Sequence, residues 1–309
     1  FGSAVDSTNL KWNLLQYASH GIGAVEITPI YGVQGNEKNE LSYLSPEWMK
    51  AIRYTEYQAK DNNIEVDMAT GTGWPFGGPW VPINEAACKA VFVDTLVSLN
   101  TKIKEIAFAL PSKEKSIATL QKAIEFKSDI KGKKRVIALY ISRTRQMVKR
   151  AAPGGEGYVM DHFSEKSVEN YLARFDKAFS NSKVSYPHNF FNDSYEVYKA
   201  DWTPRFFEEF ALRRGYKLEE HLPEFLSEVR SDNTARIISD YRETMAELLQ
   251  ENFTKQWTEW AHSHGAKTRN QAHGSPGNLI DLYATVDVPE CEGFGISDFN
   301  IKGLRKDSL

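Results

Sequence analysis

Apolar side chains recur every three to four positions over residues 9–19 (NLKWNLLQYAS), His20-Gly21 follows as a left-handed stop, and the apolar run IGAVEITPI comes next. The spacing predicts an amphipathic helix, a glycine cap and a buried strand. The same plan returns later, with a longer helix within 233–263, a cap at His264-Gly265, and AKTRNQAHG beyond it. Further helices are predicted over 46–61, 84–96, 165–180 and 203–215. Further strands are predicted at IEVDMAT (64–70), RVIALYIS (135–142), GYVMDH (157–162), the stretch ending FFNDS at 194, and YATVDVPE (283–290). Helix, glycine and strand in alternation is the signature of βα units around a parallel sheet, closed as a barrel or doubly wound. The expected fold class is α/β, a (β/α)8 TIM-type barrel, although the seven strand candidates fall one short of the eight that closure takes. A Lys-rich polar stretch, 97–134, breaks the alternation and is expected as a peripheral excursion, a small hairpin and helix, on one barrel domain spanning 1–309.

Composition narrows the partners. Thirty-eight basic against 41 acidic side chains leave a formal charge of −3, and the basic runs Lys131 to Arg135 and Arg143 to Arg150 are short, so nucleic acid is not an expected partner. No segment reaches the ~18 apolar residues a membrane helix needs, and residues 1–20 lack the charged start and apolar stretch of a signal peptide. Two cysteines, Cys88 and Cys291, make neither a disulfide framework nor a CxxC zinc site.

The residues just past each apolar run carry the chemistry, because loops at the C-terminal ends of barrel strands converge on one pocket. AVEI leads to TPIYGVQG, EVDMAT to GTGWPFGGPW, the strand before 194 to Asp193-Ser194-Tyr195-Glu196, KTRN to QAHGSPG, and ATVDVP to Glu290-Cys291-Glu292-Gly293. Carboxylates for proton transfer, aromatic faces for stacking and Arg, Asn or His for hydroxyls suit a carbohydrate site. Gly71-Thr72-Gly73-Trp74-Pro75 lacks the Lys and spacing of a phosphate loop. Bland readings stand beside these. Asp193 and Glu196 equally suit a helix N-terminus, Glu290 and Glu292 a solvated strand end, and Trp74, Phe76 and Trp80 loop packing. His262 and His264, two apart on a helix, do not share a face and read as solvated or capping. His188 and, more so, His273 read as hydroxyl-binding groups.

Taken together, GIGAVEITPIYGVQG, GTGWPFGGPW, APGGEGYVMDHFS, FFNDSYEV and VDVPECEGFG resemble the α-L-rhamnosidases of glycoside hydrolase family 106, five blocks in order between residues 21 and 295. The resemblance implies a barrel catalytic domain, inverting hydrolysis of terminal α-L-rhamnosides of plant polysaccharides or glycoconjugates, a calcium ion (Ca2+) helping to hold the sugar, and a periplasmic or extracellular setting. It implies Glu196 as general acid and Glu290 or Glu292 as an essential carboxylate, either base or metal-linked; the calcium ligands are not singled out. Asp193, Trp74, Arg269, Asn270 and His273 are the expected sugar contacts. The chain departs from the family pattern in lacking the aromatic strand that opens the barrel and the later strand whose Glu resembles the general base, so an incomplete member is expected. Two other readings remain: a retaining β-glycosidase with Glu290 or Glu292 as nucleophile, and a non-catalytic carbohydrate-binding protein.

Overall fold

The computed structural model describes residues 5–291. Asp6 caps α1 (Ser7–Ser19) by accepting from the Asn9 backbone N–H, and Gly21, at φ +80°, turns the chain toward β1 (Ala24–Ile27). A left-handed stop of this kind favours glycine, which meets no Cβ clash there. Ser45 caps α2 (Pro46–Asp61), whose first residue is the proline that such a position favours, and β2 (Glu65–Ala69) follows. Next come β3 (Gly77–Gly78), β4 (Cys88–Ser98), β5 (Ala118–Lys127), β6 (Lys133–Arg143) and β7 (Tyr158–Val159). The Ser164-capped α3 (Glu165–Ser182) leads to β8 (Asn189–Asn192), α4 (Phe206–Arg214) and a short α5 (Leu222–Phe225). A Ser231-capped α6 (Asp232–Leu248) runs through a π-helical stretch, Leu249–Lys255, into α7 (Gln256–Ser263), and Gly265 at φ +75° redirects the chain into β9 (Lys267–Asn270). α8 (Leu279–Ala284) and β10 (Val288–Pro289) complete the described elements.

Five strands form one sheet in the order β1-β2-β8-β9-β10, every pair parallel and every neighbour the next of these strands in the chain. The register sets Glu26 beside Asp67, Phe191 beside Arg269, and Arg269 beside Val288. Side chains alternate across a strand, so the two faces separate cleanly. Val66, Met68, Phe190 and Thr268 face the helices: Phe190 meets the rings of Phe175, Phe179 and Trp260, and Thr258 shares a hydrogen bond with Thr268. α3 presents Val168, Tyr171, Leu172, Phe175 and Phe179 at helical spacing to this layer, all buried. Trp257 on α7 is fully buried and donates its indole N–H to Thr70 at 3.0 Å, just past the end of β2. The opposite face carries Glu26, Asp67, Phe191 and Arg269.

The expected helix over 84–96 is instead β4. Its β-branched run AVFVDTLV alternates at period two, and the helix expectation read apolar content where the period should have decided. The excursion is also larger and differently built than expected: β4, β5 and β6 form a separate antiparallel sheet, order β4-β6-β5, and its helical content is the single 3-10 turn Ile103–Glu105. RVIALYIS is a strand, β6, of that side sheet and not of the parallel one. GYVMDH contributes only β7, paired with β3, and the first half of YATVDVPE falls on α8 and the turn after it. The parallel sheet therefore has five strands, and it is not closed into a barrel among the described residues.

Glu56 on α2 borders a cavity of about 540 Å³ beneath the N-terminal ends of β2 and β8, lined by Ile64, Pro187 and His188 among others. Its Oε1 is buried without a hydrogen-bond partner among the described residues, and burial pushes its carboxyl up to about 8, opposed by the Ser185 backbone N–H. A raised carboxyl binds its proton more tightly in the folded state, so its contribution to stability is present in acid and is lost as pH rises from about 4.5 to about 8. Glu56→Gln is expected to stabilise by on the order of 1–2 kcal/mol at pH 8.5 and to have little effect at pH 4.5. Thermal melts of both proteins across that range check it; a gain independent of pH would show that the carboxylate is not the cause.

Candidate active site

Arg269, near the end of β9, gathers carboxylates from the other side of the sheet. Its Nη1 lies 2.5 Å from Asp67 Oδ2 on β2 and 3.4 Å from Glu26 Oε2 on β1. Nε donates to Glu290 Oε1 at 2.7 Å and Nη2 reaches the same oxygen at 2.6 Å. The guanidinium also lies over the Phe191 ring of β8, 5.1 Å from its centroid. One side chain thus touches residues from all the other strands of the sheet or the residue just beyond them. Burial works against its charge, while Asp67 and Glu290 hold the charge in place and leave its pKa raised. Glu26 is raised from the ordinary carboxylate value by burial, with the Thr28 hydroxyl and Arg269 opposing and Glu290 and Asp67 adding.

A second cluster stands on the loop after β8. Hydrogen bonds continue past the strands there: the Gln271 N–H donates to the Asn192 carbonyl at 3.0 Å and the Tyr195 N–H to the His273 carbonyl at 2.7 Å, fixing one loop against the next. Glu196 accepts from the Ser194 hydroxyl at Oε1 (3.2 Å) and from the Tyr198 hydroxyl at Oε2 (2.7 Å). The Lys149 ammonium donates to the same Oε2 and lies 2.8 Å from the Tyr198 oxygen. Gln146 brackets the segment, its Nε2 donating to the Glu196 carbonyl at 2.6 Å and its Oε1 accepting from the Tyr198 N–H at 2.7 Å.

Lys149 arrives at this cluster because two glycine-rich blocks interlock. Trp74 and Lys149 exchange backbone hydrogen bonds of 3.2 and 2.8 Å, and Gly73, at φ +66°, lies so close to the Lys149 carbonyl that a Cβ would overlap it. Gly157 abuts the Gly78 backbone in the same way. These glycines serve close backbone approach, which is also why GTGWPFGGPW resembled a phosphate loop only superficially.

The family model of glycoside hydrolase family 106, described as alpha-L-rhamnosidase, matches residues 8–131 and 125–293, which include both clusters. The chain belongs to this family. A solved structure, a rhamnosidase from Novosphingobium sp. PP1Y, superposes with a TM-score of 0.71 at 15% identity over 91% of this chain, and it shares the fold. A curated protein of Formosa agariphila named "Putative beta-glucuronidase" is 24% identical over 82% of this chain. The chain spans 46% of the length of the solved rhamnosidase and 27% of that of the curated relative.

Within this family 106 chain the residues singled out from sequence fall into separate places. Glu196 and Asp193 lie on the β8 loop, with Asp193 Oδ1 accepting from the Ser194 N–H at 2.7 Å. No helix begins there, since the next one, α4, starts at Phe206, so the helix-cap reading of this pair does not hold. Glu290 sits in the Arg269 cluster, and Glu292 lies outside the described residues. Arg269, expected to bind sugar hydroxyls, is engaged by carboxylates instead. Asn270 points to the other face, is 1% exposed, and its Oδ1 accepts from Asn192 Nδ2 and the Ala272 N–H, so it supports the loops. His273 sits on the loop beside Tyr195. Trp74 has the Arg150 guanidinium 5.3 Å from its ring centroid, whereas Phe76 and Trp80 pack into the core against Tyr171 and Tyr43. His188 stands at the N-terminal end of β8, away from the loops after the strands, and His262 and His264 pair separately with Asp287 and Asp176. Glu26, Asp67, Lys149 and Tyr198 were missed. The signal for the first two was available: an acidic residue inside an apolar strand run faces the polar side of the sheet. Lys149 had none, because it reaches Glu196 from 47 positions away in the chain, and Tyr198 stands two residues past Glu196 without a pattern that marks it.

Removing the hub should expose the cost of gathering three carboxylates. Arg269→Leu is expected to lower stability by about 2–4 kcal/mol at pH 7, the range for leaving partly buried charges unpaired. Denaturant titration measures it, and an unchanged midpoint would mean that the network contributes nothing to the fold.

Proposed function

We propose that this chain is an arc of a (β/α)8 barrel whose loop after β8 carries the proton donor for hydrolysis of terminal α-L-rhamnosides by inversion, in a protein acting in the periplasm or outside the cell. The observation that carries the reading is the family 106 match running through both clusters, and the position of Glu196 just past a strand end is the one that barrel chemistry uses. Glu196 gives its proton to the departing oxygen, Asp193 stands two residues before Tyr195 at the mouth of the same loop, and Trp74 and His273 lie on neighbouring loops suited to the sugar. Glu290 enters as an essential carboxylate held by Arg269 and not as a free base; in the family pattern the water-activating Glu lies on a later strand. A retaining β-glycosidase with Glu290 as nucleophile is less well supported, because two Arg269 nitrogens already occupy its Oε1.

Calcium remains what the family resemblance implies, and no step of the proposed reaction passes through it. Among the described residues no group of three or more His, Cys, Asp or Glu is arranged to hold a metal ion, and the carboxylates gathered on the polar face of the parallel sheet have the Arg269 guanidinium at their centre.

Lys149 sets a condition on the acid. The ammonium occupies Glu196 Oε2, so donation to a substrate requires the two to part; Lys149 is 40% exposed. Glu196→Gln is expected to slow rhamnosides with poor leaving groups by about 10²- to 10⁴-fold and nitrophenyl rhamnosides, which need no proton, far less. Equal losses on both would remove Glu196 from the acid role.

A further inference from the structure

The side sheet β4–β6 supplies no group to the proton transfer, yet its end lies against the proton-donor loop. Gln146, just beyond β6, brackets Glu196 and Tyr198, and both Gln146 and Tyr198 line a pocket of about 280 Å³ that opens onto this sheet. The charged side chains on that pocket are Lys89, Lys113, Arg143 and Lys199, against the single carboxylate Glu114. Glu114 is buried and already taken: Lys89 donates to its Oε1 at 2.6 Å and Ser142 to its Oε2 at 2.5 Å. Lys113 and Lys199 are exposed. The pocket shares Ile117 and Arg143 with an adjoining groove of about 520 Å³ that adds Arg145 and no acidic residue. A chain of net charge −3 thus places five cations against one carboxylate around the end of the side sheet, next to the Gln146 and Tyr198 that hold the acid.

We infer that the side sheet is the arm that receives the leaving-group portion of an anionic glycan, so that the rhamnoside preferred is one linked to a uronic acid or sulfated sugar. The inference rests on the proposed hydrolysis and deepens it. A proton donor stands over the oxygen that departs with the leaving group, and the leaving-group sugars extend past it. Tyr198 donates to Glu196 and at the same time lines the cationic pocket, so the first sugar past the cleaved bond meets the pocket. Carboxylate and sulfate both present two or more charged acceptor oxygens that a guanidinium fork and ammonium donors satisfy, and the groove carrying Arg143 and Arg145 continues the interaction along the next residues of the glycan.

The test compares three oligosaccharides on the full-length protein, each with terminal rhamnose: one linked to a uronic acid, the same compound with its carboxyl reduced, and one linked to a sulfated sugar. The expected result is a kcat/KM at least tenfold higher for a charged substrate than for the reduced one. That advantage should shrink as salt is raised from 20 to 500 mM, as screening of exposed charges requires. The charged substrate that gains most names the anion. The double variant Lys113→Ala, Lys199→Ala, at exposed positions outside the catalytic cluster, should lose the advantage through KM and leave nitrophenyl rhamnoside turnover unchanged. Equal kcat/KM for charged and reduced substrates overturns the inference, as does release of the uronic acid itself from a simple uronide, which would put the anion on the other side of the cleaved bond. If no rhamnoside is turned over, the hydrolysis reading fails, and calorimetry still decides the inference. Salt-sensitive binding of the charged oligosaccharide over the reduced one, lost in the double variant, upholds the arm, and equal binding refutes it.

Discussion

The candidate site depends on one guanidinium. Four strands of the parallel sheet are four or five residues long, β10 has two, and the pairing of β9 with β10 rests on two residue pairs. Backbone pairing that short gives little hold on the polar face, where three carboxyl groups from β1, β2 and the residue after β10 would repel one another. Arg269 resolves this by forking between them and lying on Phe191. Arg suits the position as Lys would not, because its planar fork presents several nitrogens to separate partners at once. The result is a rigid polar floor, with Glu290 held in a defined orientation and Glu26 displaced toward its neutral form by burial.

The loops past the strands are held by a different device. Two glycine-rich blocks, far apart in sequence, press backbone on backbone at Gly73 and Gly157, and this contact delivers Lys149 to Glu196. Tyr198 and Gln146 complete the cage, and Gln146 comes from the strand end of the side sheet. The side sheet is therefore mechanically continuous with Glu196.

Much of this was legible in the sequence where local physics decides. The His-Gly stops at 20–21 and 264–265 take the left-handed turn their residues favour, the strands at 24–27, 65–69 and 189–192 lie within the apolar runs that marked them, and 267–270 follows its stop directly. The positions of Glu196 and Glu290 past strand ends were legible because they follow predicted strands. The rest depends on long-range pairing. β4 looked helical because its apolar content is high, and only pairing with β6 along its whole length makes period two decisive. Arg269 looked like a sugar ligand because nothing in KTRN announces Asp67, 202 positions away. Asn270, its neighbour, illustrates the limit of strand-end reasoning: a one-residue step reverses the face, and a polar residue at the right height supports a loop from the wrong side.

The floor and the arm differ in charge, and on the proposed reading that difference orients a substrate. The floor sets three carboxyl groups against one guanidinium, while the arm sets five cations against one buried carboxylate that Lys89 and Ser142 already hold ionised, below its ordinary range. Rhamnose carries no charge and a uronate or sulfated neighbour carries one, so a glycan of that kind has a neutral end and an anionic end. The anionic end is repelled from the floor and drawn to the arm, and only the neutral end can settle among the carboxylates. Such a field acts before contact, biasing which end enters first, and its range in physiological salt is about 8 Å. On this view the insertion between β3 and β7 sets the direction in which the chain of sugars lies across Glu196. The acid then needs no recognition of the leaving group beyond the oxygen it protonates.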